Sequence, residues 1–232
     1  MKIGVFDSGI GGITVLNKLI KKYPNCEYIY YGDTANIPFG DKSVDELKII
    51  ADNIVNFLIN KNVDIIVIAC GTLSSNLTDY LKRKYDIPIY DIVSSTINYI
   101  NESNYNNIGV LCTKGTKDSG IFEQKIEKKV EVLECPGLAD LIEENDVDSI
   151  RVYISKKVEI LKDVDIIVLG CTHYPIIKDK IREYTDLPIL DMSDYFELNI
   201  KEGENFKLKF YFSKEDDVLL KNVKRILKTN ND

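Results

Sequence analysis

The sequence predicts an α/β protein of two similar lobes, each with a mainly parallel sheet, produced by internal duplication and enclosing a cleft. Three observations carry this. Val63–Cys70 reads VDIIVIAC and Val164–Cys171 reads VDIIVLGC, an offset of 101 residues with a cysteine closing each copy. Asp86–Asp91, DIPIYD, is echoed by Asp186–Asp191, DLPILD, at an offset of 100, and Ile3–Val5 and Ile108–Val110 are both IGV. A period near 100 is too long for a solenoid and has the size of a whole α/β half. Apolar strands also resemble one another by chance, but ordered agreement at three places favours duplication. The uncharged, β-branched runs read as strands covered on both faces, and in parallel sheets the carboxyl ends of such strands carry sites. The expected first lobe is residues 1–96 with 206–232, and the second is 97–205.

Taken in order, Lys2–Phe6 reads as a strand and Asp7–Gly12, DSGIGG, as a glycine turn into a helix over about Ile13–Tyr23. Strand, glycine turn and helix make an anion-binding arrangement, because the backbone approaches closely and the helix start has unpaired N–H groups. The bland alternative is a tight turn with Ser8 as N-cap. Neither GxGxxG spacing nor a Gly-Lys-Ser/Thr ending is present, so no nucleotide loop is indicated. Glu27–Tyr31 is the next strand, and the turn-rich Gly32–Gly40 is a loop able to grip a ligand by main chain. Ser43 with Glu46 forms a capping box for a helix whose stripe Val44, Leu47, Ile50, Ile54, Phe57 and Leu58 is expected to be core. Val63–Ala69 is a strand tipped by Cys70-Gly71-Thr72; helix Leu73–Lys84 and strand Ile87–Tyr90 follow.

The second half restarts with strand Ile108–Leu111, the tip CTKGT over Cys112–Thr116, and a helix from about Ser119 to Lys129. Strand Val130–Glu134 is broken by Cys135-Pro136-Gly137. Asp148–Lys162 has helical spacing, and after the second cysteine strand come a helix over about Ile176–Tyr184 and strand Leu187–Leu190. Ser193–Asn205 reads as a loop, Phe206–Phe212 as an edge strand and Lys214–Leu227 as a helix, the last two returning to the first lobe.

With 232 residues, 44% of them apolar, the chain has material for a substantial core. Its net charge of −7 argues against nucleic acid or an anionic membrane as partner, but not against a small anionic ligand held by backbone N–H groups. Five cysteines, no signal-like start and no long apolar run point to a reducing cytoplasm.

Cys70 and Cys171 stand at equivalent strand ends before helix starts, where a thiol is brought within reach of its thiolate. His173 lies two residues from one, and Asp7 at the tip of the first strand is placed for the other. Two matched bases on opposing lobes have the geometry to take a proton from one face of a carbon and deliver one to the opposite face. An acyl-transfer nucleophile is the weaker reading, since the second thiol would be idle and the usual signatures are absent. Zinc is disfavoured because there is no CxxC and His173 is the only histidine. Buried cysteines acting only as small hydrophobes remain the bland alternative, less so for two at equivalent positions.

The motifs Asp7–Gly12, Pro38-Phe39-Gly40, Ala69–Thr72, Thr113 with Thr116 and Ser119, and Gly170–Pro175 occur in the order found in glutamate racemases, which the chain resembles over nearly its whole length. The resemblance implies cofactor-independent interconversion of L- and D-glutamate, supplying D-glutamate for peptidoglycan, with no metal. It makes Cys70 and Cys171 the acid/bases and Asp7 and His173 their assistants. Asp7, Ser8, Phe39, Gly40, Gly71, Thr72, Thr113, Thr116, Thr172 and His173 would contact the substrate. Gly71 stands where the family usually has an asparagine whose amide meets the substrate's polar head, and Phe39 where it has tyrosine. Relatives usually carry a further helix near Ser193–Asn205. An aspartate or broad-specificity amino-acid racemase, or a weakly catalytic binding protein on this fold, is the alternative reading. The expected partners are a small amino-acid substrate and a second copy in a homodimer.

Overall fold

In the computed structural model, which describes residues 1–215 and 217–229, the apolar runs form two parallel sheets. The first has strands β1 (Lys2–Asp7), β2 (Glu27–Gly32), β3 (Ile65–Ile68), β4 (Ile89–Asp91) and β9 (Lys207–Phe212) in the order β4-β3-β1-β2-β9. The second has β5 (Asn107–Cys112), β6 (Lys129–Glu134), β7 (Ile166–Gly170) and β8 (Ile189–Asp191) in the order β6-β5-β7-β8. The ladders repeat as the sequence does. Ile3 lies opposite Ile65 in one sheet and Ile108 opposite Ile166 in the other, so the IGV and VDII copies pair in the same register. The strand β9 extends the first sheet beyond β2, at its edge as expected.

The helices are α1 (Ile13–Lys22), α2 (Val44–Asn60), α3 (Gly71–Lys84), α4 (Ile92–Glu102), α5 (Lys114–Ser119), α6 (Ile121–Lys125), α7 (Leu138–Glu144), α8 (Val147–Ile160), α9 (Lys178–Arg182) and α10 (Asp217–Thr229). The Ser43–Glu46 capping box that starts α2 is formed in both directions. Of the helix expected over Lys214–Leu227, Asp216 lies outside the described residues, as do 230–232 of the expected first lobe.

Three expectations are corrected. The helix expected over Ser119–Lys129 starts earlier, as α5 within the expected tip, stops at Gly120 with φ +64°, and resumes only as the five-residue α6, while Lys129 already belongs to β6. The helix over Ile176–Tyr184 is a 3-10 turn, Tyr174–Ile177, followed by the five-residue α9. Helices α4 and α7 are additional. The first follows β4 directly with Asp91 as N-cap, and the second opens after Gly137 at φ +73°, so neither is announced by a separate loop.

One apolar cluster runs between the sheets: Val5 and Val67 from one, Val110 and Val168 from the other, with Leu16 of α1 and Ile97 of α4. The outer faces are covered separately, by α2 and α3 on the first sheet and by α7, α8 and α9 on the second. The segment after β8 has no helix, yet its Phe196 and Leu198 are buried in the shared cluster. It straps the lobes together through Lys18 Nζ to Asp191 at 2.6 Å and Leu198 N to Tyr23 Oη at 2.8 Å.

Candidate active site

The loops at the carboxyl ends of β1, β2, β3, β5, β6 and β7 enclose a cavity of about 110 Å³. Cys70 enters it as the N-cap of α3, in extended backbone. Cys171 enters it immediately after β7, where the chain turns into the 3-10 segment. The two thiols are 4% and 6% exposed, so neither meets bulk water. Ser8, Phe39, Gly40, Gly71, Thr72, Thr113, Thr172 and His173 line the same cavity. Asp7 and Thr116 stand behind that lining. Asp7 touches Thr172, whose hydroxyl donates to Asp7 Oδ1 at 3.4 Å, and Thr116 receives the Thr113 hydroxyl at 3.1 Å. Thr72 and Thr113 join across the cleft, Oγ1 to Oγ1, at 2.9 Å.

The DSGIGG loop does bind an anion, but it is the chain's own. Asp7 Oδ2 accepts from Gly12 N at 2.8 Å and Gly9 N at 3.1 Å. The glycines permit two close approaches. A Cβ on Gly12 would lie 2.4 Å from Asp7 Cβ, and one on Gly11 would lie 2.6 Å from His173 Nδ1 on the opposite lobe.

The two thiols meet different electrostatics. Burial pushes the Cys70 thiol up strongly, and the Asp7 carboxylate adds to this; Leu73 N–H and the Ser8 hydroxyl oppose it without prevailing. Cys171 Sγ is 3.8 Å from His173 Nδ1, and His173 Nε2 is 2.7 Å from Glu143 Oε1. Burial by itself would lower the His173 pKa, but its bonds to Cys171 and Glu143 outweigh this and hold it well above the usual imidazole range. Carboxylate, imidazole and sulfur thus stand in one hydrogen-bonded line.

Glu143 is the functional candidate that sequence reading missed. It lies 30 residues before His173 on the unannounced α7, so no local pattern joins the two. Cys135, Lys114 and Asp140 also line the cavity without a sequence signal of their own. The position of Gly71 acquires a tertiary explanation: a Cβ there would lie 2.6 Å from Gly170 O, across the seam between the lobes. Among the described residues, no group of three or more His, Cys, Asp or Glu is arranged to hold a metal ion. No helix among them is long and apolar enough to cross a membrane.

Residues 13–194 match the family model described as Asp/Glu/Hydantoin racemase. A glutamate racemase from Aquifex aeolicus is 34% identical, over 98% of this chain and 94% of that one. The crystal structure of a glutamate racemase isoform from Bacillus anthracis superimposes with a TM-score of 0.90 at 26% identity, covering 97% of this chain and 93% of the other. That of the Francisella tularensis glutamate racemase in complex with D-glutamate gives 0.86 at 29%, covering 98% and 93%. Two parallel α/β lobes and these relatives define the class, an isomerase of the amino-acid racemase type. The chain belongs to the Asp/Glu/hydantoin racemase family.

Proposed function

We propose that the chain interconverts L- and D-glutamate by proton transfer between Cys70 and Cys171, without a cofactor, and so supplies D-glutamate for peptidoglycan in the cytoplasm. The observation that carries this reading is that two buried thiols, from equivalent strand ends of the two sheets, line one small cavity. The names of the relatives, and the D-glutamate bound in the Francisella structure, support the substrate.

In this reading residues 1–96 with 206–232 and residues 97–205 are the two jaws. A thiolate on one jaw takes the Cα proton from one face, and the thiol on the other delivers its own proton to the opposite face. One sulfur gains a proton and the other loses one, so each turnover leaves the pair ready for the reverse reaction. His173 holds or returns the Cys171 proton, with Glu143 fixing its ring, and Asp7 serves Cys70. Unpaired N–H groups at the start of α3, beside Gly71 and Thr72, meet a substrate carboxylate, and Ser8, Thr113 and Thr172 supply hydroxyls. Phe39 and Gly40 close the wall, and Thr116 orients Thr113. Burial strengthens each of these interactions by excluding water.

The test is polarimetry or circular dichroism of purified protein with L-glutamate, D-glutamate and L-aspartate, with and without chelator. Convergence of both glutamate enantiomers on an optically inactive mixture, unaffected by chelator and faster than any change in aspartate, is expected. No change with glutamate, or faster change with aspartate, would overturn the substrate assignment, and loss of activity on dialysis against chelator would overturn the cofactor-free mechanism.

A further inference from the structure

The helix α10 belongs by contact to the first lobe, yet it touches the second lobe at one informative place. Its Leu219, Val223 and Ile226 are buried in the shared apolar cluster, and it packs along α1. From that anchorage Asn222, 7% exposed, donates through Nδ2 to Glu143 O at 3.1 Å, and Arg225 donates through Nη2 to Ile142 O at 3.1 Å. Both acceptors lie in the last turn of α7, at the negative end of its dipole; Ile142 O also accepts from the C-cap Asn145 N at 3.2 Å, so the Asn222 bond to Glu143 O is the more telling of the two. The seven-residue α7 is too short to be rigid alone, so the groups that tie its end also fix the place of the Glu143 carboxylate. The same block of α1 and α10 meets the other end of the relay, because Gly11, just before α1, lies against the His173 ring.

We propose that Asn222 and Arg225 are positioning residues for the Glu143–His173–Cys171 relay, through which the first lobe holds the second lobe's proton-transfer group in register. Neither side chain lines the cavity that holds the thiols, so they act through the α7 backbone and not on substrate. The inference rests on the two-thiol reading for its kinetic consequence but not for its structural one. Loss of the Asn222 bond lets Glu143 retreat from His173, which weakens proton transfer on the Cys171 side and leaves the Cys70 side intact.

The experiment uses the full chain with Asn222→Ala, the isosteric Asn222→Asp, and Lys224→Ala on the exposed face of α10 as control. Two readouts are taken. The first is initial α-deuterium exchange in D2O from each enantiomer of glutamate, with His173→Gln identifying the enantiomer that depends on the Cys171 side. The second is the NMR titration of the ring of His173, unambiguous because the chain has one histidine. Asn222→Ala should slow exchange about three- to tenfold for the enantiomer most affected by His173→Gln, as loss of one hydrogen bond does, and leave the other unchanged. The His173 pKa should fall, by about half a unit or more, as its bond to Glu143 loosens. Asn222→Asp, which sets a charge against a carbonyl, should do at least as much in a fold that keeps its shape, and Lys224→Ala should do nothing. Equal slowing of both enantiomers with an unmoved His173 titration would make α10 a structural brace only and overturn the proposal. If wild type exchanges neither enantiomer, it is the two-thiol reading that fails, and the His173 titration alone still decides whether Asn222 positions Glu143.

Discussion

Two copies of one strand, VDIIV followed by two residues and ending in cysteine, lead in this molecule to two differently equipped thiols. On the first lobe Cys70 caps the fourteen-residue α3, and the nearby carboxylate, Asp7, is held by two backbone N–H groups. On the second lobe a 3-10 turn begins three residues after Cys171, and a histidine backed by Glu143 stands at its sulfur. The backbone positions are matched, but the proton partners are not. Duplication therefore places two thiols on one cavity, while divergence in the loops sets a different titratable group beside each.

The largest break in this comparison is removal of either sulfur. Cys70→Ser and Cys171→Ser should each lose turnover by at least 10²–10⁴-fold, and the double variant should be little worse, because the pair acts as a unit. The single variants should also show opposite enantiomer preference in residual α-proton exchange. Near-native racemisation by either would end the two-thiol account.

Next in size are the partners. His173→Gln and Asp7→Asn should each slow exchange on their own side by about 10²-fold, with the opposite enantiomer most affected in the two cases. If both variants slow the same enantiomer, the assignment of one assistant to each lobe is wrong.

At the seam, Gly71→Ala puts a methyl group 2.6 Å from Gly170 O, a distance at which backbone must move. The lobes then cannot close to this approach, and KM should rise by about tenfold with a smaller change in kcat; steady-state kinetics in both directions decide it. Gly71→Asn, the larger side chain, should be worse than Gly71→Ala. A gain in turnover from asparagine would mean that the seam opens freely.

The smallest effect is a pH dependence that belongs to the second lobe. Since the folded His173 pKa lies above its unfolded value near 6.5, its contribution to stability is complete below that value and is lost as pH rises through the folded pKa. The difference in unfolding free energy between wild type and His173→Gln should therefore narrow on going from pH 6 to alkaline conditions, measured by denaturant titration. A difference that widens with pH would show that the ring is neutral in the fold.

Most of the architecture is legible in sequence because it is written in local, repeated patterns. The β-branched runs, the capping box at Ser43 and the IGV and VDII copies each report a strand or helix through its own periodicity. The doubled cysteines likewise mark the strand ends that line the cavity. What sequence could not supply was decided by contacts between distant segments. The link from Glu143 to His173, the hold of Asn222 and Arg225 on α7, and the approach of Gly71 to Gly170 join residues 30 to more than 80 positions apart. The DSGIGG loop differs in being local: legible as an anion site, it closes on its own first residue, Asp7, through Gly9 and Gly12 N–H. Periodicity and spacing record what each segment buries; which proton partner each thiol received depends on how two sheets pack through one apolar core, and that exists only in three dimensions.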